Sequence, residues 1–232
     1  MRRLTLLVLA ALCAGGSAIA APNAAAHKPT DKGTMKQCEG KKCHRVAVFQ
    51  GHNAASTTLR TAPLEKPSGD IWLKAENLGE ETKVNIYKPD GTFDDASLAK
   101  LDEMFRCVKT GEVRAVRPEL YEQLSRISDH FDHKRIDLVS GFRFAERDSS
   151  RHFHASAMDI HIVGVSIRDM YNFAETLDAG NMGIGIYPSS GFIHVDFRAP
   201  GEPSYRWTDY SGHGGNAKKQ KPRTQPARKP VS

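Results

Sequence analysis

The chain is poor in cysteine, in aromatic residues and in long apolar runs, and each shortage excludes something. Four cysteines in 232 residues are too few for a fold built on disulfides. The apolar run Leu4–Leu12 is shorter than the ~20 residues that cross a bilayer, so a multi-pass membrane protein is excluded. Aromatic residues make up 8% and are not interleaved with basic residues in the body, which argues against a nucleic-acid-binding face. Acids are missing from Gly215 onward, where six Lys/Arg stand (Lys218, Lys219, Lys221, Arg223, Arg228, Lys229). Those six equal the whole formal net charge of +6, so the rest of the chain is balanced. What remains is ordinary: 39% hydrophobic and 26% charged residues exclude a collagen-like or wholly disordered chain and leave room for a sizeable core.

The ends have their own character. Arg2-Arg3, the short apolar run and Ala18-Ile19-Ala20 have the layout of a secretory signal cleaved before Ala21, so residues 1–20 are expected to be a signal peptide. The expected location is therefore periplasmic or secreted, with no transmembrane segment after cleavage. Residues 21–44 are rich in Ala, Lys, Thr and Gly and are expected to be a flexible leader. Within it, Cys38 and Cys43 flank Glu-Gly-Lys-Lys. They suit a small disulfide loop in an oxidising compartment, or half a zinc site. Cys107 lies in a helical pattern and is expected to be partly buried and inert. Residues 213–232 alternate Lys/Arg with Pro and Gln and are expected to be a disordered basic tail. Such a tail is either a solvated extension or an electrostatic contact for anionic polymers.

The body, residues 45–212, is expected to hold one domain. Arg45–Phe49 and Lys83–Tyr87 have strand character, and Pro89-Asp90-Gly91 is a turn. Asp94 or Asp95 should cap a helix whose apolar face carries Leu98, Leu101, Met104, Phe105 and Val108, ended by Gly111. A second helix should open at Pro118 and bury Leu120, Leu124, Ile127 and Phe131. The period then changes to two in Arg135–Ser140 and Ala157–Ile162. Ser166 should cap a third helix, and Gly183–Tyr187 and Phe192–Phe197 should form a hairpin. The expected fold class is α+β, a small antiparallel sheet with helices packed on it.

The chemistry clusters late in this body. His152 stands seven residues before Asp159, and His194 follows thirty-five residues after it. Asp159 and His194 sit in apolar strands, where an unpartnered carboxylate is costly. Two imidazoles and a carboxylate suit zinc with a fourth position open to water, the arrangement of a hydrolytic metal. A lone strand histidine is more often a satisfied core residue, so spacing alone is a moderate signal.

The surrounding wording is more specific. Ser150-x-His152-x4-Ala157-x-Asp159 resembles the signature of zinc peptidases related to D-Ala-D-Ala carboxypeptidases and dipeptidases, in particular the murein endopeptidase K-like branch. Further blocks agree in order: Tyr87–Gly91, Thr110–Val113, Val139–Arg143, Gly183–Pro188, Gly191–Asp196 and Arg206-Trp207. The resemblance covers about residues 80 to 210. It implies a hedgehog/D-Ala-D-Ala peptidase-like fold with a zinc site on the sheet and His152, Asp159 and His194 as metal ligands. It implies peptidoglycan stem peptides or cross-links as substrate. Arg143 matches the family arginine beside the site, where it either steadies a developing oxyanion or braces a loop. Ser150 matches a substrate-contacting serine, or caps a turn.

The general base does not carry over, because Gly191 and Phe192 stand where relatives have an acid or a histidine. Asp196, on the same strand face as His194, is the nearest candidate catalytic group. Its alternative is a partner that orients His152. His161 shares a face with Asp159 and is a further candidate, and His154 reads as a surface residue. Ala155 replaces a usual glycine. The rival readings are a catalytically silent wall-binding module and a D,D-dipeptidase.

Overall fold

The structure, a computed structural model, describes residues 33–212. The expected signal peptide and basic tail lie outside the described residues. The chain order is β1 (Thr34–Glu39), β2 (Lys42–Ala47), β3 (Phe49–Asn53), β4 (Asp70–Ala75), β5 (Glu80–Asn85), α1 (Asp95–Met104) and α2 (Pro118–His130). It continues with β6 (Ile136–Ser140), β7 (Ala157–Ile162), α3 (Ile167–Thr176), β8 (Met182–Tyr187), β9 (Phe192–Phe197) and β10 (Tyr205–Asp209).

The three helices begin where the sequence places their starts. Asp94 Oδ2 accepts from the Ser97 amide at 3.0 Å and opens α1. Pro118 opens α2, where its missing N–H is no loss. Ser166 Oγ accepts from the Asp169 amide at 3.0 Å and opens α3. The end of α1 differs from expectation. It stops at Met104 with Phe105 as its cap, so Val108 falls outside the helix and is exposed rather than core.

Strands β3 to β10 form one eight-stranded sheet in the order β3-β10-β8-β9-β7-β6-β4-β5, and β1 and β2 pair separately. The α+β class holds, but the sheet is neither small nor wholly antiparallel. Neighbours β4/β6 and β8/β10 are parallel, because the intervening segments carry the chain back to the starting end. Strands β4 and β10 were not expected from the sequence. The expected strand at Arg45–Phe49 is interrupted at Val48, which separates β2 from β3. The stretch expected as a leader to residue 44 contains β1 and the start of β2, so its boundary falls inside a strand.

Alternation gives the sheet two unlike faces. One face carries Leu73, Leu138, Met158, Ile160, Ile184, Ile193 and Val195, all buried in the core with Leu120, Leu124, Met170 and Ala174 from the helices. At about 25 cal/mol per Å² of apolar area, this layer supplies most of the driving force for folding. The opposite face carries Ser140, Asp159, His194, Gly185, Trp207 and Gly51. Register makes these six a single row across β6, β7, β9, β8, β10 and β3.

Candidate metal centre on the second face of the sheet

The site starts from a glycine. Gly141 follows β6, and a Cβ there would stand 2.6 Å from the Phe105 carbonyl oxygen, so only glycine fits. This close approach lets the Phe142 amide bond Phe105 O at 2.7 Å and ties the loop to the end of α1. It also fixes the Gly141 carbonyl, which accepts from His152 Nδ1 at 2.6 Å. A carbonyl only accepts, so a proton sits on Nδ1, and Nε2 is the nitrogen left to face the site. The loop between Gly141 and β7 then closes tightly. Ser156 N bonds Arg151 O at 3.0 Å, and Ala155 sits at φ 48°, the left-handed region glycine favours. The departure from glycine noted at this position therefore falls on a turn that bends as glycine would.

Pairing brings in the other two residues. Asp159 on β7 lies directly opposite His194 on β9. His194 Nδ1 is 2.8 Å from Asp159 Oδ1, and His152 Nε2 is 3.2 Å from His194 Nδ1 and 3.3 Å from Asp159 Oδ2. All three side chains are buried, and their ligand atoms lie within 4.8 Å of one another. The expected triad thus converges, and one nitrogen from each histidine plus one carboxylate oxygen could hold a metal ion. The chemistry of this donor set fits a divalent cation. Its pull on positive charge is visible in Arg143, whose Nη2 donates to Asp159 Oδ2 and lies 3.0 Å from His152 Nε2. Arg143 is braced by Ser140 Oγ at 2.8 Å and Glu146 at 3.5 Å, and its side chain is still 37% exposed, so it faces the site opening.

Electrostatics follow from this packing. Burial alone would raise the Asp159 carboxyl, but His152 and then His194 hold it well below the usual carboxylate range. Burial would lower His194, yet bonds to Asp159 and Asp196 outweigh it and push this imidazole up to about 9. Asp196 Oδ2 lies 2.9 Å from His194 Nε2 and 3.3 Å from Arg198 Nη1. The orienting role expected for Asp196 was toward His152; its partner is instead His194.

Other candidates lie elsewhere. His161 turns away from the triad to Asp137 at 3.5 Å and Glu76 at 3.7 Å. His154 is exposed and contacts the Asp148 carbonyl at 2.6 Å. Ser150 sits in the turn before His152, where its carbonyl accepts from Phe153 N at 3.2 Å. Cys107 is a free thiol, more fully buried than expected and just beyond the end of α1. Cys38 and Cys43 are joined by a disulfide, which removes the half-zinc alternative.

Sequence reasoning missed the residues that frame the triad. Trp207 packs on His194 with ring centroids 5.0 Å apart, and its Nε1 donates to Tyr187 Oη at 3.0 Å. Gly183 and Gly185 leave the space that the Asp196 carboxylate and the Trp207 indole fill. The alternation Gly183-Ile-Gly-Ile-Tyr187 was the available signal, since two glycines on one strand face imply that something closely approaches that face.

One sheet face thus carries a His–Asp–His set whose donor atoms could hold a metal ion. Residues 68–200 match the family described as "Peptidoglycan L,D-endopeptidase MepK", and the chain belongs to that family. Among curated proteins it is 30% identical over 139 residues to peptidoglycan L,D-endopeptidase MepK of Escherichia coli K12, covering 54% of this chain and 75% of the relative. It is 31% identical over 134 residues to the probable peptidoglycan L,D-endopeptidase MepK of Haemophilus influenzae, covering 52% of this chain and 70% of the relative. No solved structure matches significantly. None of the described helices is long and apolar enough to cross a membrane.

Proposed function

We propose that the chain is an exported zinc-dependent peptidase that hydrolyses amide bonds of peptidoglycan, at L,D cross-links between stem peptides. The observation that carries this reading is the convergence of His152, Asp159 and His194 within 4.8 Å, in a member of this family. The names of the relatives favour cross-link cleavage over the D,D-dipeptidase reading. The disulfide fits export to an oxidising compartment, as does the layout of residues 1–20. The domain is taken as residues 45–212, whose start falls within β2 of the N-terminal hairpin, and the basic sequence 213–232 follows it.

His152 Nε2, Asp159 and His194 Nδ1 would hold the zinc. When bound, zinc supplies a Lewis acid and brings the pKa of its water to about 7. The chain's own residues do the rest. The Gly141 carbonyl keeps the His152 proton on Nδ1 and its lone pair inward. Asp196 accepts from His194 Nε2–H and so turns the Nδ1 lone pair toward the other two ligands. Asp196 is therefore a positioning residue in this reading, rather than the general base expected from its strand position. Arg143, partly exposed and braced by Ser140 and Glu146, donates to the scissile carbonyl oxygen as negative charge grows there. Ser150, in the turn before His152, would contact the substrate.

The test is digestion of purified sacculi by the mature protein, with released fragments read by mass spectrometry. Loss of L,D-linked stem pairs with the appearance of the separated stems, both abolished by a chelator and by His152→Ala, is the expected result. Folded, zinc-loaded protein that releases nothing from walls containing L,D links would overturn the reading in favour of a silent wall-binding module.

A further inference from the structure

We infer that the hairpin β1–β2 is a docking element for the anionic peptidoglycan polymer, set at the edge of the face that carries the His–Asp–His triad. Three observations carry this. The first is exposure. Outside Met35, Gln37 and Val46, which are half-buried, the described side chains of the two strands are exposed. A two-stranded hairpin with so little to bury is marginal on its own. The chain holds it by other means. The Cys38–Cys43 disulfide crosses the pair just before the turn, and Gly40, at φ 60°, takes the first central position of that two-residue turn.

The second observation is charge. From Gly33 to Asn53 the sequence has Lys36, Lys41, Lys42 and Arg45 against a single acid, Glu39. Lys36 lies directly across from Arg45, on the same face as the disulfide. Like charges in opposite positions disfavour pairing, so the arrangement works against the hairpin's own stability. Arg45 Nε donates to Thr34 Oγ1 at 2.9 Å, which fixes the guanidinium along the strand. A pinned, exposed hairpin with a net positive charge concentrates counter-charged ligands near it.

The third observation is position. Val48 N bonds Gly33 O at 2.9 Å, and Tyr210 N bonds Val48 O at 2.8 Å, so the hairpin's base is fixed to the end of β10. Phe49, the first residue of β3, is two residues, or ~7 Å, from Gly51. Gly51 ends the row that runs through Trp207, Gly185 and His194 to Asp159. A polymer held by the hairpin therefore lies beside the row that carries Asp159 and His194. Peptide stems bear free carboxylates, and a polymer of stems offers many at once, which suits several weak cationic contacts. The choice of occupant rests on the proposed peptidoglycan substrate.

The test uses the mature full chain and the double variant Lys36→Glu/Lys41→Glu. Glutamate at 36 faces Arg45 with opposite charge, so pairing is favoured and the hairpin is not put at risk. Binding to sacculi is read by co-sedimentation at low and high salt. In parallel, turnover is measured on a small soluble cross-linked peptide, and binding is measured to vesicles of phosphatidylglycerol and phosphatidylcholine. The expected result is about a tenfold fall in sacculus binding by the variant at low salt, a weaker salt dependence, and unchanged turnover of the soluble peptide. Equal sacculus binding by variant and wild type would overturn the inference. So would a defect confined to vesicles, which would assign the hairpin to a membrane surface instead. Failure of the wild type to cleave the soluble peptide would count against the proposed function, while the co-sedimentation arm would still decide the hairpin.

Discussion

Replacing Gly183 with alanine adds one methyl group and should disable a carboxylate on the neighbouring strand. The added Cβ would lie 2.7 Å from both Cγ and Oδ1 of Asp196, where carbon contacts are comfortable only at about 3.5–4.0 Å. Backbone conformation is not the obstacle, because Gly183 is not among the positive-φ glycines. The carboxylate has to retreat by roughly 1 Å to restore an ordinary contact. Its bond to His194 Nε2 is 2.9 Å long, so a shift of that size breaks it. A lost charged hydrogen bond costs about 1.5–3 kcal/mol, and overpacking a closed site adds about 1–3. Greater stiffness of alanine in the strand returns about 0.5–1 kcal/mol. The net expectation is a loss of about 2–5 kcal/mol in urea unfolding of the metal-free protein. Zinc affinity should fall about 10- to 100-fold, because His194 loses the partner that sets its tautomer. Gly185→Ala is the control. Its Cβ would meet the Trp207 indole, at 2.5 Å from Cζ2, and not Asp196. It should lose stability while keeping more of the zinc affinity. A Gly183→Ala protein with wild-type stability and wild-type zinc affinity would refute the reasoning.

Asp196→Asn keeps the shape of the side chain and removes its charge. If Asp196 positions His194, zinc affinity drops about 10- to 100-fold and kcat recovers at saturating zinc; a kcat that stays low at full occupancy would restore the general-base role. Arg206→Met should cost about 3–5 kcal/mol in thermal or urea unfolding, because it strands the buried Asp178 carboxylate that Arg206 Nη2 meets at 2.6 Å. A loss under about 1 kcal/mol would show that the amides of Gly180, Asn181 and Met182, with Ser204 Oγ, satisfy Asp178 without the arginine.

What the sequence disclosed and what it withheld divide along a physical line. Helix starts are local events: Asp94 and Ser166 each accept from the amide three residues on, and Pro118 removes an N–H that the first turn would leave without a partner, so a short window contains the cause. The hairpin β8–β9 is local for the same reason, with four residues between its strands. Strands β4 and β10 are different. No partner of β10 is joined to it by a tight turn, and β4, although it turns tightly into β5, lies on its other side beside the distant parallel strand β6. The hairpin at Thr34–Ala47 escaped because its residues are polar on both faces, which removes the alternation that marks a strand.

The candidate site follows the same division. Its donor residues were legible in part because a carboxylate and an imidazole in apolar strands demand partners, and it was the family resemblance that singled out His152, Asp159 and His194 together. Their holders were not, because each acts across the sheet or across a loop. Gly141 matters through Phe105, thirty-six residues before it, and Gly183 matters through Asp196 on the next strand. The wall of the site is Trp207, which reaches His194 only because β10 lies parallel to β8. Residue type thus announced which groups could bind a metal, while cross-strand register decides which lone pairs they turn inward. That is why Asp196 reads as a base from its own strand and as the support of His194 once its neighbours are in place.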